Sequence, residues 1–123
     1  MPTKATPEHD ARLAALTFAS VYPCYVTKIE KKGRRVEELD EVIGWLTGYC
    51  REQVQGHIDE DSSLKTFFEQ AELHPNAALI KGTICGYRIE TLENPVTRQV
   101  RYLDKLVDEL AKGRPLEKIL RKS

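Results

Sequence analysis

The stretch NPVTRQVRYLDKLVDELAKG, residues 94–113, decides how the rest of the chain is read. Val96, Val100, Leu103, Val107 and Leu110 recur at spacings of 4, 3, 4 and 3, and Leu106 widens the stripe. At 3.6 residues per turn these positions share one face, so the spacing predicts an amphipathic helix. Asn94 offers a side-chain oxygen to the first turn, and Pro95 suits a position whose N–H has no helical partner anyway. Gly113 suits the place just past the end. Asp108 and Lys112 form an i,i+4 pair on the other face, with the lysine near the negative helix end.

The same punctuation organises the chain outward from this helix. Five of the six prolines stand at helix starts: Thr6-Pro7, Tyr22-Pro23, His74-Pro75, Asn94-Pro95 and Arg114-Pro115. Gly33, Gly48 and Gly113 each follow a periodic apolar stretch. A second helix is predicted over 36–47, with Val36, Leu39, Ile43 and Leu46 on one side and acids in its first turns. A third runs over 20–32, with Pro23 near its first turn or kinking it. Short helices are predicted over 52–58, 63–71 and 116–121. Residues 77–92 are ambiguous. Ala77, Ile80, Ile84 and Tyr87 fit a helical stripe, residues 83–89 also alternate as a strand, and Gly82 and Gly86 each weaken a helix by about 1 kcal/mol. The helical reading is preferred.

The expected fold is all-α, a compact bundle of about five to seven helices. The alternative is α+β, with a small sheet from residues 79–92. Residues 1–11 read as a variable, flexible extension and residues 12–123 as a single helical domain. The core should draw on Phe18, Val21, Val26, Val42, Ile43, Leu46, Phe67, Leu79, Ile84, Val100, Leu103, Val107 and Ile119.

Composition narrows the function classes. Lys and Arg number 19, as do Asp and Glu, in 123 residues, so no global pull toward nucleic acid or anionic lipid is indicated. The balance is local: residues 93–123 hold eight basic and five acidic side chains, against four and eight in residues 41–92. Cys24, Cys50 and Cys85 are odd in number and far apart, which argues against a disulfide framework or a structural zinc site. No apolar run approaches the roughly 20 residues of a membrane span, and the polar start resembles no signal peptide. A cytoplasmic protein is expected.

Several runs together resemble a known family: FASVYPCYV (18–26), EKKGR (30–34), EVIGWLTGY (41–49), ALIKGTICGYRIE (78–90), RYLDKLVDELAKG (101–113) and EKIL (117–120). They resemble the mostly bacterial family catalogued as domain of unknown function 2200, over nearly the whole chain from about Arg12. The resemblance implies a complete protein rather than a fragment. It implies no activity and assigns no catalytic residue.

Candidate sites are therefore weighed on their chemistry. His9, His57 and His74 lie in polar, loop-like surroundings with no HExxH or paired Cys/His spacing, and no metal or cofactor is expected. Asp59-Glu60-Asp61 with Ser63 imitates a calcium loop, but Leu64 and Gln70 stand where Gly and Glu are needed, so these acids and Ser62 or Ser63 are read as capping the next helix. Cys85 is a thiol nucleophile candidate, because Lys81 and Arg88 nearby would favour the thiolate. Tyr102 or Asp104 could complete such a site. The bland reading of Cys85 is a small buried residue. Gly82 and Gly86 match no phosphate-binding pattern. Lys31, Lys32, Arg34 and Arg35, or the basic C-terminus, are the candidate nucleic-acid contacts. Helices 36–47 and 52–58 imitate a helix-turn-helix, though the acids of both oppose phosphate. Trp45 and Tyr49, with Tyr22 and Tyr25, are candidate anchors for a protein partner. The preferred reading is a small non-catalytic interaction protein, its partner a second copy of the chain or another protein. A nucleic-acid-associated protein and a small enzyme around Cys85 are the alternatives.

Overall fold

The computed structural model describes residues 7–84 and 86–120. Among them are seven α-helices: α1 (Pro7–Ala15), α2 (Phe18–Glu30), α3 (Val36–Thr47), α4 (Arg51–Asp59), α5 (Leu64–Glu69), α6 (Pro95–Ala111) and α7 (Leu116–Ile119). A strap of chain joins α5 to α6. It holds a 3-10 turn (Pro75–Leu79), two minimal strands β1 (Thr83–Ile84) and β2 (Tyr87–Arg88), and a second 3-10 turn (Ile89–Thr91). The fold is the expected all-α bundle.

α6 is its pillar. It packs against α1, α2, α3, α5 and α7 and also meets β1. Val100, Leu103, Leu106, Val107 and Leu110 are buried along it, as their spacing predicts. Asn94 caps it, its side-chain oxygen accepting from the Thr97 N–H at 3.0 Å. Phe18 of α2 is fully buried and stacks on Phe67 of α5 at 4.1 Å. Removing this much apolar surface from water is the main force holding such a bundle together.

Local chemistry sets the boundaries. Thr17 accepts from the Ser20 N–H at 3.2 Å, so α2 starts at Phe18 and Pro23 falls in its second turn. The proline nitrogen carries no hydrogen, so the Ala19 carbonyl loses its helical donor there. α3 ends at Gly48, whose φ of +75° is left-handed. The Glu72 carbonyl oxygen lies 3.2 Å from where a Cβ would stand, so a larger residue would meet backbone as well as strain. Ser63 caps α5 by accepting from the Thr66 N–H at 3.1 Å, the role read for the acidic loop.

Several expectations fail, and the first three have clear physical reasons. Residues 77–92 do not form a helix. Gly82 at φ +108° and Gly86 at φ +82° occupy conformations a right-handed helix excludes, and Ile84 pairs antiparallel with Tyr87 instead. Leu79 is not core but 48% exposed: the 3-10 turn ends there and the chain extends, so Ile80 takes the buried position. His57 is not in a polar loop. It is buried on α4, its Nδ1 2.8 Å from the Ser62 hydroxyl, with the Tyr49 and Phe67 rings against it. The acids that follow His57 concealed its apolar neighbours.

Val21 and Val26, expected in the core, are partly buried and pack at its edge. α1 reaches into the residues read as an extension, and Asp10 accepts from the Thr97 hydroxyl at 2.6 Å. The predicted end of the last helix at Arg121 lies outside the described residues.

Candidate functional site: a groove between the strap and α6

Besides its apolar stripe, α6 carries a polar one. Arg98, Tyr102 and Lys105 follow at spacings of 4 and 3, so they stand one above another on a single flank. The strap crosses that flank. Ile80, Ile84, Ile89 and Leu92 anchor it by burial. Two cations then tie it down: Lys105 Nζ donates to the Thr83 carbonyl at 3.3 Å, and Arg98 Nε donates to the Leu92 carbonyl at 2.9 Å.

Gly82 makes the strap's bend. Its N–H donates to Glu90 Oε1 at 2.6 Å, and its carbonyl accepts from the Ile89 N–H at 2.9 Å. The Lys105 amine lies 3.6 Å from where a Cβ would stand. The N–H of Gly82, helped by Arg88 and Lys81, holds the Glu90 carboxyl below the ordinary carboxylate range. Glu90 is therefore ionised near neutral pH, with Arg88 Nε 3.9 Å from its other oxygen.

Between the strap and α6 is an open groove of about 230 Å³, lined by Ala78, Ile80, Lys81, Ile89, Glu90, Arg98 and Tyr102. Tyr102 is only 7% exposed, yet its hydroxyl has no hydrogen-bond partner among the described residues. The hydroxyl is not one of the buried atoms left without a partner, so it is open to the groove. Lys81 and Arg98 likewise make no ion pair among the described residues. Two cations, one anchored carboxylate and an unengaged hydroxyl thus converge on one concavity.

Two other concavities are already satisfied internally. A wide hollow at the end of α6, about 340 Å³, is lined by Lys105, Asp108, Glu109, Lys112, Gly113 and Arg114. There Lys112 pairs with Asp108 at 3.0 Å and Arg114 with Glu109 at 3.2 Å. A smaller cleft of about 130 Å³ lies among Tyr22, Asp40, Tyr49, Arg51, Val54, Gln55 and Ile58. Asp40 accepts from the Tyr22 hydroxyl at 2.6 Å and from Arg51 at 3.3 Å. Burial first, then the carboxylate of Asp40, pushes the Tyr22 phenol well above its ordinary range, so it remains a donor.

The sequence-read candidates scatter over these features. Lys81 and Tyr102 come together in the groove, and Arg88 reaches its rim through Glu90. Cys85 lies outside the described residues. Asp104 faces elsewhere, accepting from the Tyr25 hydroxyl at 2.6 Å and pairing with Arg101 at 2.8 Å. Trp45 stacks on His74 at 4.3 Å, and Tyr49 donates to the Phe67 carbonyl at 2.5 Å. Lys31 and Lys32 are exposed just past α2, and Arg35 is exposed before α3. Arg34 is tied to Glu38 at 2.6 Å and to the Arg114 carbonyl at 2.9 Å. Sequence reasoning missed Arg98 and Glu90. The visible signal for Arg98 is the 4-3 polar stripe on the flank of α6, and Glu90 carries none. Among the described residues, no cluster of three or more His, Cys, Asp or Glu is placed to hold a metal ion.

The chain belongs to the bacterial family catalogued as domain of unknown function 2200, described as an uncharacterised protein conserved in bacteria, whose model matches residues 12–121. A solved structure, the crystal structure of uncharacterized protein SP1917, is similar at 39% identity and a TM-score of 0.85. The similarity covers 97% of this chain and 96% of that one. None of the curated proteins matches the chain.

Proposed function

We propose that this chain is a small, non-catalytic interaction protein that engages its partner molecule through the groove between the strap and α6. One observation carries the reading. Elsewhere most inward-facing polar side chains find internal partners: Tyr22 on Asp40, Tyr25 on Asp104, His57 on Ser62 and Thr97 on Asp10. In the groove, Tyr102, Lys81 and Arg98 keep donors that nothing in the described chain accepts. Convergent polar groups in a concavity are what a ligand site requires.

A cytoplasmic setting belongs to the same reading. The thiols of Cys24 and Cys50 are free and exposed, which suits a reducing compartment. No helix of the described residues is long and apolar enough to cross a membrane.

The test is an NMR fragment screen on the uniformly ¹⁵N-labelled full chain. The expected result is that binders move amides of residues 80–92 and 98–102 together. Binders that collect in the Tyr22–Asp40 cleft, or saturable turnover of a binder, would overturn the reading. DNA that shifts residues 31–35 and is displaced by salt would replace it with the nucleic-acid alternative.

A further inference from the structure

We infer that the group recognised by this groove is a single carboxylate; the inference rests on the binding reading above and names its ligand chemistry. Charge points to it first. Lys81 and Arg98 bring two positive charges to the groove and Glu90 brings one negative. Glu90 is fixed in place by the Gly82 N–H, and its carboxyl is held ionised there. The lining residues alone therefore sum to about one net positive charge, and Arg88 at the rim adds to it, so the groove favours an anion. A phosphate monoester, at roughly −1.5 to −2 near neutral pH, would place about twice the negative charge of a carboxylate beside the ionised Glu90.

Donor geometry points the same way. Arg98 has committed only its Nε, to the Leu92 carbonyl, which leaves the two terminal nitrogens. Their N–H groups form a planar edge that matches the two oxygens of a carboxylate. Lys81 adds a mobile ammonium, and Tyr102 adds a hydroxyl held on the rigid wall of α6. Because the Tyr102 side chain is nine-tenths buried, its orientation costs little to maintain, while its hydroxyl stays open to an arriving acceptor.

Size sets the scale of the ligand. A volume of about 230 Å³ is less than that of most drug-sized pockets, which start at roughly 300 Å³. At roughly 30 Å³ per water it corresponds to several waters, enough for a carboxylate and a few carbons beside Ala78, Ile80 and Ile89. Two sources supply such a group: a small organic acid, or the free C-terminal carboxylate of a peptide.

The experiment uses the ¹⁵N-labelled full chain at low ionic strength. It is titrated separately with propionate, propionamide, inorganic phosphate, and an N-acetylated tripeptide with a free or an amidated C-terminus. Propionate should move the amides of Gly82, Glu90 and Tyr102 along saturable curves, and propionamide should not. Tyr102→Phe and Lys81→Met should each weaken propionate about five- to tenfold while the rest of the spectrum stays in place. A free tripeptide that binds at least tenfold tighter than propionate, and loses this on amidation, assigns the peptide source. Equal binding of propionate and the free tripeptide assigns the small acid. The inference is overturned if phosphate binds tighter than propionate, or if the amidated tripeptide matches the free one. If neutral fragments from the screen saturate the groove and propionate does not, the carboxylate falls and the binding reading survives. If nothing moves the groove, both fall.

Discussion

The two flanks of α6 use the same residue types in opposite ways. On the flank facing α2, the Tyr25 hydroxyl donates to Asp104 at 2.6 Å and Lys28 reaches Asp108 at 3.3 Å. Each of these polar groups has an internal partner that ties one helix to another. On the flank facing the strap, Tyr102 has none among the described residues, and Arg98 uses one nitrogen of three. A stable domain leaves few buried polar groups unmatched, because each unmade bond costs about 1–3 kcal/mol. The donors left over on this flank of α6 face the groove rather than a neighbouring helix. The difference separates residues kept for structure from residues available for contact, and it can be tested by substitution.

The largest expected effect lies in the core both flanks depend on. Phe18→Ala removes a fully buried ring stacked on Phe67, and should cost about 3–5 kcal/mol in urea-induced unfolding. A loss under about 1 kcal/mol would mean that the α2–α5 contact is not the core it is taken to be. The sharper test compares two tyrosines. Tyr25→Phe deletes a hydrogen bond to a carboxylate and should destabilise by about 1.5 kcal/mol. Tyr102→Phe deletes a hydroxyl that has no partner among the described residues and should leave stability within about 0.5 kcal/mol. Equal costs for the two would erase the distinction between the flanks.

How much of this is legible in the sequence follows the same division. The α6 stripe is legible because burial on one face of a regular helix leaves a period in the sequence. Asn94, Pro95, Gly48 and Ser63 are legible because the ends of helices have specific unmet hydrogen-bonding needs. The strap is not. Its shape depends on positive φ at Gly82 and Gly86 and on a 3-10 turn that exposes Leu79 while burying Ile80, and none of these leaves a period. The groove is half legible. Lys81 and Tyr102 stand out as chemistry-bearing residues, but only the fold shows that one lies on the strap and the other on α6 beside it. Glu90 cannot be assigned from sequence, since its role depends on a bend that brings the Gly82 N–H to it. Asp104 misleads in the opposite sense. Two residues along a helix turn a side chain by roughly 200°, so Asp104 points away from the flank that carries Tyr102.

The smallest expected effect concerns acid. Asp108 is pushed upward by burial, but hydrogen bonds from Lys112 and Lys28 outweigh that and hold its carboxyl below the ordinary 3.8. A carboxyl with a lower pKa in the folded than in the unfolded chain binds protons less readily when folded. Its contribution is thus fully present above about pH 3.8 and is lost as pH falls through the folded value. Asp108→Asn should therefore flatten part of the stability loss as pH falls below about 3.8, with little change near neutral pH beyond the lost ion pairs, which are partly exposed and individually weak. Urea titrations across that range read the slope directly. Glu90, on the other flank, is also held low, by the Gly82 N–H, but it is exposed and braces only the strap. Glu90→Gln should therefore change the slope less than Asp108→Asn does. An equal or larger change from Glu90 would show that the strap unfolds with the bundle as one cooperative unit, and that the flank facing the groove contributes as much to stability as the flank facing α2.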